Sequence, residues 1–240
     1  MLTVQTLFDL KHTIAAKYLG QFLYPWQGLK GIKDEILSLG KSLPSQEYLE
    51  LSPQVWVHYT AKIAPTAYLG GPAIIGPHTE IRHCAFIRGS AIVGEHCVVG
   101  NSTELKNVIL FDGVQVPHYN YVGDSILGYK AHLGAGAVTS NVKSDRSRVV
   151  IRGEGSIETG LKKMGAMIAD YAEVGCNAVL NPGTILGRNS TVYPTSCVRG
   201  VIPGNAIYKN DGTIVGKTHC SVLDWGSLCL MERKEERIYG

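Results

Sequence analysis

The sequence predicts a mainly β fold, a parallel β-helix of stacked triangular coils, on three observations. An aliphatic residue recurs at every sixth position from Val57, through Ile63, Leu69, Ile75, Ile81, Ile87, Val93 and Val99 to Leu105. The beat returns at Ile168, Val174, Leu180, Leu186, Val192 and Val198, and between the runs it loosens to Val116, Val122, Leu127 and Leu133. The next residue is often glycine, as at Gly70, Gly76, Gly94, Gly100, Gly134, Gly175 and Gly187. Glycine also makes up 28 of the 240 residues and phenylalanine only 4, which suits many turns and small aliphatic core positions. Neither the helical period of 3.6 nor the strand period of 2.0 gives this pattern. Short strands meeting at tight corners do: each places one aliphatic residue inside, and three close a coil of eighteen residues. Such coils stack as parallel ladders about 4.8 Å apart.

Residues 1–50 precede the beat. Val4, Leu7, Leu10, Ile14 and Tyr18 have helical spacing, as do Leu29, Ile32, Ile36 and Leu39, with YPWQG between them as a turn. Two amphipathic helices are expected there. Residues 51–205 form the β-helix. Residues 143–166 interrupt it with a polar excursion rich in Arg and Lys, expected as a protruding loop of the kind that often serves function. Residues 206–240 read as a hairpin turning at the Asp-Gly of YKNDGTIVG, then the charged tail MERKEERIYG as a solvated helix end.

Composition excludes several classes. With 45% hydrophobic and 18% charged residues the chain can bury a core and is not disordered. A net charge of +3 is too slight for nucleic acid. No apolar run approaches the roughly eighteen residues of a membrane span, and MLTVQTLFDLKH lacks the features of a signal peptide. Cys84, Cys97, Cys176, Cys197, Cys220 and Cys229 are scattered with no CxxC, so they are expected as reduced cytoplasmic thiols, not a disulfide framework or zinc clip.

Charge falls at particular points of the beat. Arg88 and Lys106 each follow an aliphatic position and lie one coil apart, on the same edge. Like charges that close repel. They are either two solvated cations or a clamp for an anion, most naturally a phosphate. Glu104 is two residues before Lys106, on the same side if that segment is extended. His118 lies two hexads beyond Lys106. A lone histidine is more often structural or exposed, but an imidazole can take a proton near neutral pH, and this one comes with a cationic pair, a carboxylate and Tyr121. Gly134-Ala135-Gly136 would let a ligand approach backbone amides.

Together these residues resemble the hexapeptide-repeat acyltransferase family, whose left-handed parallel β-helix is an exception to the right-handed crossover rule. Within that family the similarity is to the acetyltransferase domains of the bifunctional UDP-N-acetylglucosamine pyrophosphorylase/glucosamine-1-phosphate N-acetyltransferases. It covers about residues 57–208 and is most specific from Arg88 to Asn141. GNSTELKN at 100–107 is similar to the segment carrying a phosphate-binding Lys, and HYNYVGD at 118–124 to that carrying the catalytic His. The resemblance implies His118 as general base, supported by Glu104 and Asn141. It implies that Arg88, Lys106 and Tyr121 hold the sugar phosphate, and that Ala135, Cys176 and Pro194 contact the thioester cofactor. His132 stands where the family has a substrate-contacting Asn. A second substrate Lys falls at Lys163 counted back from Val174, or near Ser147 and Arg148 counted forward. Cys176 replaces a Ser and Pro194 an Ala, and the late cofactor-binding Arg has no clear counterpart, although Lys209 is near.

The implied activity is transfer of an acyl group from acetyl-CoA to an amino-sugar phosphate, chemistry of UDP-N-acetylglucosamine biosynthesis. An activated thioester needs no metal. Backbone amides near Gly134–Gly136 are candidates for the oxyanion. The resemblance also implies a homotrimer with the site between subunits, the 143–166 excursion reaching a neighbour's cleft, and a separate nucleotidyltransferase as a candidate partner. The LxxGxGTRM-type nucleotide loop is absent, so no nucleotidyl transfer is expected. Two other readings stand beside this one. The first is a non-catalytic sugar-phosphate or sugar-nucleotide binding or scaffold protein. The second is a metal enzyme like the γ-class carbonic anhydrases, suggested by the HxxxxH pair His78 and His83 and by His96 one coil from His78; zinc then needs a third convergent imidazole, and Gly40–Ser42 offers none.

Overall fold

The computed structural model describes residues 2–153 and 155–217. About eight coils stack into a left-handed parallel β-helix with three faces. The first face runs from Lys62–Ile63 through Glu80–Ile81, Val98–Asn101, Gln115–His118, His132–Leu133, Glu173–Val174 and Thr191–Val192 to Ala206–Tyr208. The second takes Tyr68–Leu69, Phe86–Ile87, the starts of Glu104–Leu110 and Tyr121–Leu127, then Val138–Thr139, Val179–Leu180 and Cys197–Val198. The third takes Val55–His58, Ala73–Ile75, Ala91–Val93, the ends of those two long strands, then Ala166–Ile168, Thr184–Leu186 and Val201–Ile202.

The hexad residues stack inside as the beat predicts. Ile81 lies beneath Val99, Leu69 beneath Ile87, and Ile87 beneath Leu105. Three residues past the aliphatic position the backbone turns through the left-handed region, at His78 (φ 53°), Cys84 (60°), His96 (52°), Asn177 (56°) and Asn189 (56°) among others. Such a conformation costs a non-glycine residue about 1–2 kcal/mol. Ladder bonds offset it; His96 N–H, for example, donates to Pro77 O at 2.9 Å.

The eighteen-residue step fails in the middle of the stack. Val99 pairs with Val116, Leu105 with Val122 and Leu110 with Leu127, each seventeen positions on. The cause is one corner. Between the second and third faces, Leu105 to Leu110 and Val122 to Leu127 are five positions apart, and the turning residues are Asn107 (φ 55°) and Asp124 (φ 47°). Strands Glu104–Leu110 and Tyr121–Leu127 run without a break around these short bends. The excursion leaves from the same edge in the next coil, after Val138–Thr139, and returns at Ala166–Ile168.

The third face is buried on both sides. Its strands Ala73–Ile75, Ala91–Val93 and Ala166–Ile168 carry no exposed residue. An outward column of Ile74, Ile92, Ile109, Ile126, Met167 and Ile185 is fully buried. Burial of each such side chain stabilises by roughly 1.5–3 kcal/mol. The N-terminal segment covers this column. Its α-helices are Val4–Leu7, Ala16–Leu19 and Ile32–Ser42, with 3-10 turns at Leu10–His12 and Pro25–Gly31. Polar contacts anchor it: Asp9 N–H donates to Asp170 Oδ2 (2.7 Å), Arg188 Nε to Leu7 O (3.1 Å) and Asn107 Nδ2 to Leu29 O (3.1 Å), and Asp112 N–H and Asp170 N–H donate to His12 O (3.0 Å) and Leu7 O (3.2 Å).

Local structure departs from expectation in three places. The first expected helix is broken into short pieces, because Asp9 accepts from Lys11 N–H and Thr13 Oγ1 from Ala15 N–H, each at 3.2 Å. Asp and Thr bonded to their own backbone compete with a continuing helix. YPWQG does not form an open turn: Pro25 starts a 3-10 helix, and Gln27 Oε1 accepts from Tyr24 N–H at 2.8 Å. The excursion folds as a hairpin, Val150–Arg152 against Ser156–Glu158, and buries Val149, Ile151, Leu161 and Met164. The C-terminal hairpin pairs Ala206–Tyr208 with Ile214–Gly216, and Gly212 in its turn has φ 84°. The tail MERKEERIYG lies outside the described residues. Among those described, no helix is long and apolar enough to cross a membrane.

Candidate functional site

Two edges flank the second face, and the candidate residues divide between them. At the edge with the third face the short bends bring Lys106, Asn107, Asp124 and Asn141 together. Asp124 is the hub and is 4% exposed. Its Oδ1 accepts from Lys106 Nζ and from Asn107 Nδ2, both at 2.9 Å. Its Oδ2 accepts from Asn141 Nδ2 at 2.6 Å and again from Lys106 at 3.2 Å. A buried carboxylate is tolerable only with such a set of charge-assisted bonds. A Cβ at Gly123 beside it would lie 2.5 Å from Tyr121 Oη and 3.0 Å from Asn141 Nδ2, so any side chain there would displace these two groups.

Arg88 and Glu104 lie next to this hub as an ion pair at 2.7 Å. The hydrogen bond and charge of Glu104 raise the Arg88 pKa further, so the guanidinium stays protonated. Tyr121 Oη accepts from Asn141 Nδ2 at 3.2 Å. Burial first, then the Glu104 and Asp124 carboxylates, push the Tyr121 phenol above its ordinary value. It therefore keeps its proton at neutral pH and can donate it to a ligand oxygen.

A cavity of about 370 Å³ opens on the same edge, lined by Leu29, Lys30, Ser90, Lys106, Asn107, Asp124, Leu161 and Lys163. Lys163 thus reaches a hollow of its own chain. Three ammonium groups against one carboxylate leave the cavity with a surplus of two positive charges, an arrangement suited to an anion.

The edge with the first face collects the other candidates. His118, Ala135, Cys176 and Pro194 come from successive coils. Their neighbours are stitched vertically: Gly136 N–H donates to His118 O (3.0 Å), Asn177 N–H to Ala135 O (2.8 Å) and Thr195 N–H to Cys176 O (2.8 Å). The His118 side chain is exposed and makes no hydrogen bond among the described residues. Glu104 and Asn141 are held by Arg88 and Asp124, so within one chain neither contacts it. His132 lies on the first face, its Nδ1 2.8 Å from Glu173 Oε2. The Gly134 and Gly136 amides donate to Val174 O and His118 O. They are committed to the ladder, which leaves only Ala135 N–H of that trio for an oxyanion.

Sequence reasoning missed Asp124, Asn107 and Lys30. The five-residue step from Val122 to Leu127 was the available signal for Asp124, because a shortened corner drives its turning residue toward the core. Nothing in the periodicity brings Lys30 to this edge. The HxxxxH pair does not converge: His83 Nδ1 pairs with Thr66 Oγ1 (2.9 Å) at one edge, while His78 sits at the next corner back. Six residues are one face of a triangle, so two histidines near that spacing occupy different corners.

Comparison with known proteins adds the following. A family profile described as "GMPPB C-terminal domain" matches residues 71–202. The chain is 32% identical over 190 residues to a bifunctional protein GlmU of Nostoc sp., covering 75% of this chain and 33% of that protein. It is 32% identical over 120 residues to a bifunctional protein GlmU of Methanococcus maripaludis, covering 50% and 29%. A bifunctional sugar-1-phosphate nucleotidylyltransferase/acetyltransferase of Sulfurisphaera tokodaii is 33% identical over 101 residues, covering 42% and 25%. The chain spans about a third or less of the length of these relatives. Among solved structures, the acetyltransferase domain of PglB from Neisseria gonorrhoeae in complex with acetyl coenzyme A gives a TM-score of 0.32 at 15% identity, covering 75% of this chain and 65% of that one. A GDP-perosamine N-acetyl transferase variant from Caulobacter crescentus in complex with CoA and GDP-perosamine gives 0.31 at 17%, covering 78% and 66%.

Proposed function

This chain belongs to the GMPPB C-terminal domain family, and from that premise we propose that it is an acyl-CoA-dependent transferase that acylates the amine of a sugar phosphate. The observation that carries the reading is the cavity in which Lys30, Lys106 and Lys163 face the single carboxylate of Asp124. Similarity to a bifunctional sugar-1-phosphate nucleotidylyltransferase/acetyltransferase supports an acetyl group as the one transferred, with acetyl-CoA as the donor. The phosphate would sit against the lysines, and the neutral Tyr121 phenol would donate to one of its oxygens. His118 would accept a proton from the attacking amine, whose nitrogen bonds to the thioester carbonyl carbon. The resulting imidazolium would return that proton to the thiolate as the C–S bond breaks. Acid–base help of this kind is worth about 10²–10⁴-fold.

Because His118 and the lysine cavity lie on opposite edges of the second face, the reading needs a second copy. Three chains packed through that face would set the His118 edge of one against the lysine edge of the next, as a homotrimer. The outer column Tyr68 (61% exposed), Phe86 (41%) and Val179 (36%) supports this, since a single chain leaves it bare. The cytoplasm, where Cys84, Cys97, Cys176 and Cys197 stay free thiols, is the proposed compartment.

The test is thiol release from acetyl-CoA in the presence of hexosamine phosphates. We expect turnover in the native chain and a loss of at least a hundredfold in His118→Ala; undiminished activity in that variant rejects the assignment. A second reading, binding of a sugar phosphate or sugar nucleotide without catalysis, is favoured by one observation: Glu104 and Asn141 are engaged away from His118. Sugar-phosphate binding with no acetyl-CoA binding would select it.

A further inference from the structure

Among the described residues, one group of side chains brings three metal-binding donor atoms together outside the site described above. His78, Glu95 and His96 place one donor each within 4.8 Å of one another. They stand on the edge between the third and first faces, on two successive coils. His78 and His96 occupy the same turning position, with φ 53° and 52°, so their side chains leave the backbone one above the other. The imidazoles stack with centroids 4.8 Å apart and planes 15° from parallel. Glu95 Oε1 lies 3.2 Å from His96 Nε2. Asp112 Oδ1 accepts from Glu95 N–H at 2.8 Å and fixes the backbone that carries the third donor.

We propose that His78, Glu95 and His96 form a binding site for a borderline divalent cation of the zinc class. Two imidazole nitrogens and one carboxylate oxygen are a donor set that suits zinc, with a fourth position left to water. In a tetrahedral centre with bonds of about 2.0–2.1 Å the donors lie about 3.4 Å apart. The three atoms here are within roughly an ångström and a half of that separation, and both histidines are exposed. The open side has room: His96 also lines a hollow of about 400 Å³ with Lys130, His132 and Glu173. A bound ion would staple one coil to the next. The site lies on a different edge from both halves of the proposed transferase site, so it stands whether or not that reading does.

The experiment titrates the untagged chain, freed of metal by chelator, with zinc, and follows competition with a chromogenic chelator and the thermal midpoint. Cobalt serves as a second probe through its visible ligand-field bands. The substitutions are His78→Asn and His96→Asn, because asparagine tolerates the left-handed turn that these positions require, together with Glu95→Gln. One equivalent of zinc that raises the thermal midpoint is expected in the native chain. Affinity should fall at least tenfold in each single variant, and the midpoint shift should vanish in the double histidine variant. His83→Asn, on another edge, should bind zinc as the native chain does. An unchanged equivalent of zinc in the double histidine variant would assign the metal to other donors, such as His219, Cys220 and Cys229, and overturn the proposal. So would the absence of zinc binding by the native chain.

Discussion

The second and third faces both carry apolar side chains on the outside, interrupted on the second by Glu104, and meet opposite fates. On the third face Ile74, Ile92, Ile109, Ile126, Met167 and Ile185 disappear beneath the N-terminal segment. On the second, Tyr68 and Phe86 stay in solvent. The sequence distinguishes them. Third-face strands carry consecutive aliphatics, as in Ala-Ile-Ile at 73–75 and Ala-Ile-Val at 91–93, the mark of a sheet covered on both sides. Second-face strands put an aromatic or polar residue before the aliphatic one, as in Tyr68–Leu69 and Glu104–Leu105. One face is sealed by the chain itself; the other is the face on which we propose a second copy packs, and the lysine-lined cavity lies on the edge between them.

Removing a side chain from each column tests that contrast. Ile109→Ala should cost about 2–5 kcal/mol in denaturant unfolding, because it opens a cavity under the N-terminal cover. Asp124→Ala, at the edge, should cost about 3 kcal/mol by stranding Lys106, Asn107 and Asn141, and should abolish sugar-phosphate binding measured by calorimetry. Phe86→Arg should change the stability of the single chain by no more than about 0.5 kcal/mol. Its effect should appear in light scattering instead, where an assembled native chain gives way to monomers. A trimer that survives Phe86→Arg intact would mean that the second face is not the contact.

The smallest effect is a pH dependence of the cover. Asp170 accepts from Asp9 N–H and Tyr129 N–H and pairs with Arg188, and it is 1% exposed. Burial pushes its carboxyl above the ordinary value; the two amides and Arg188 oppose this without cancelling it. The folded chain therefore holds this proton more tightly than the unfolded chain does. Stability from this group is present below the unfolded pKa and is lost as pH rises through the folded one. Relative to Asp170→Asn, which does not titrate, the native chain should lose stability between pH 4 and pH 7. A gain over that interval would contradict the direction of the shift.

The winding was legible because a period of six leaves few alternatives, and the inward residues were named one by one. The edges were legible in part. Arg88 and Lys106 share an edge as their spacing requires, and His118, Ala135, Cys176 and Pro194 share another. What periodicity could not convey was which edge each set occupies, because a triangular coil makes all three equivalent until something breaks the symmetry. Two things broke it: the single-residue deletions at Asn107 and Asp124, of which only the step to Leu127 showed in the beat, and the docking of residues 4–42. The docking depends on contacts such as Asp9 with Asp170, 161 positions apart, that no local pattern encodes.

The two tightened bends carry a consequence for chain length as well. Solenoid corners ordinarily absorb insertions and deletions with little harm. Here, restoring one residue beside Asn107 and one beside Asp124 would return these two coils to the eighteen-residue step and should swing the buried acid out toward water. Length variation at those two points is therefore expected to remake the lysine-lined edge while leaving the winding as it is.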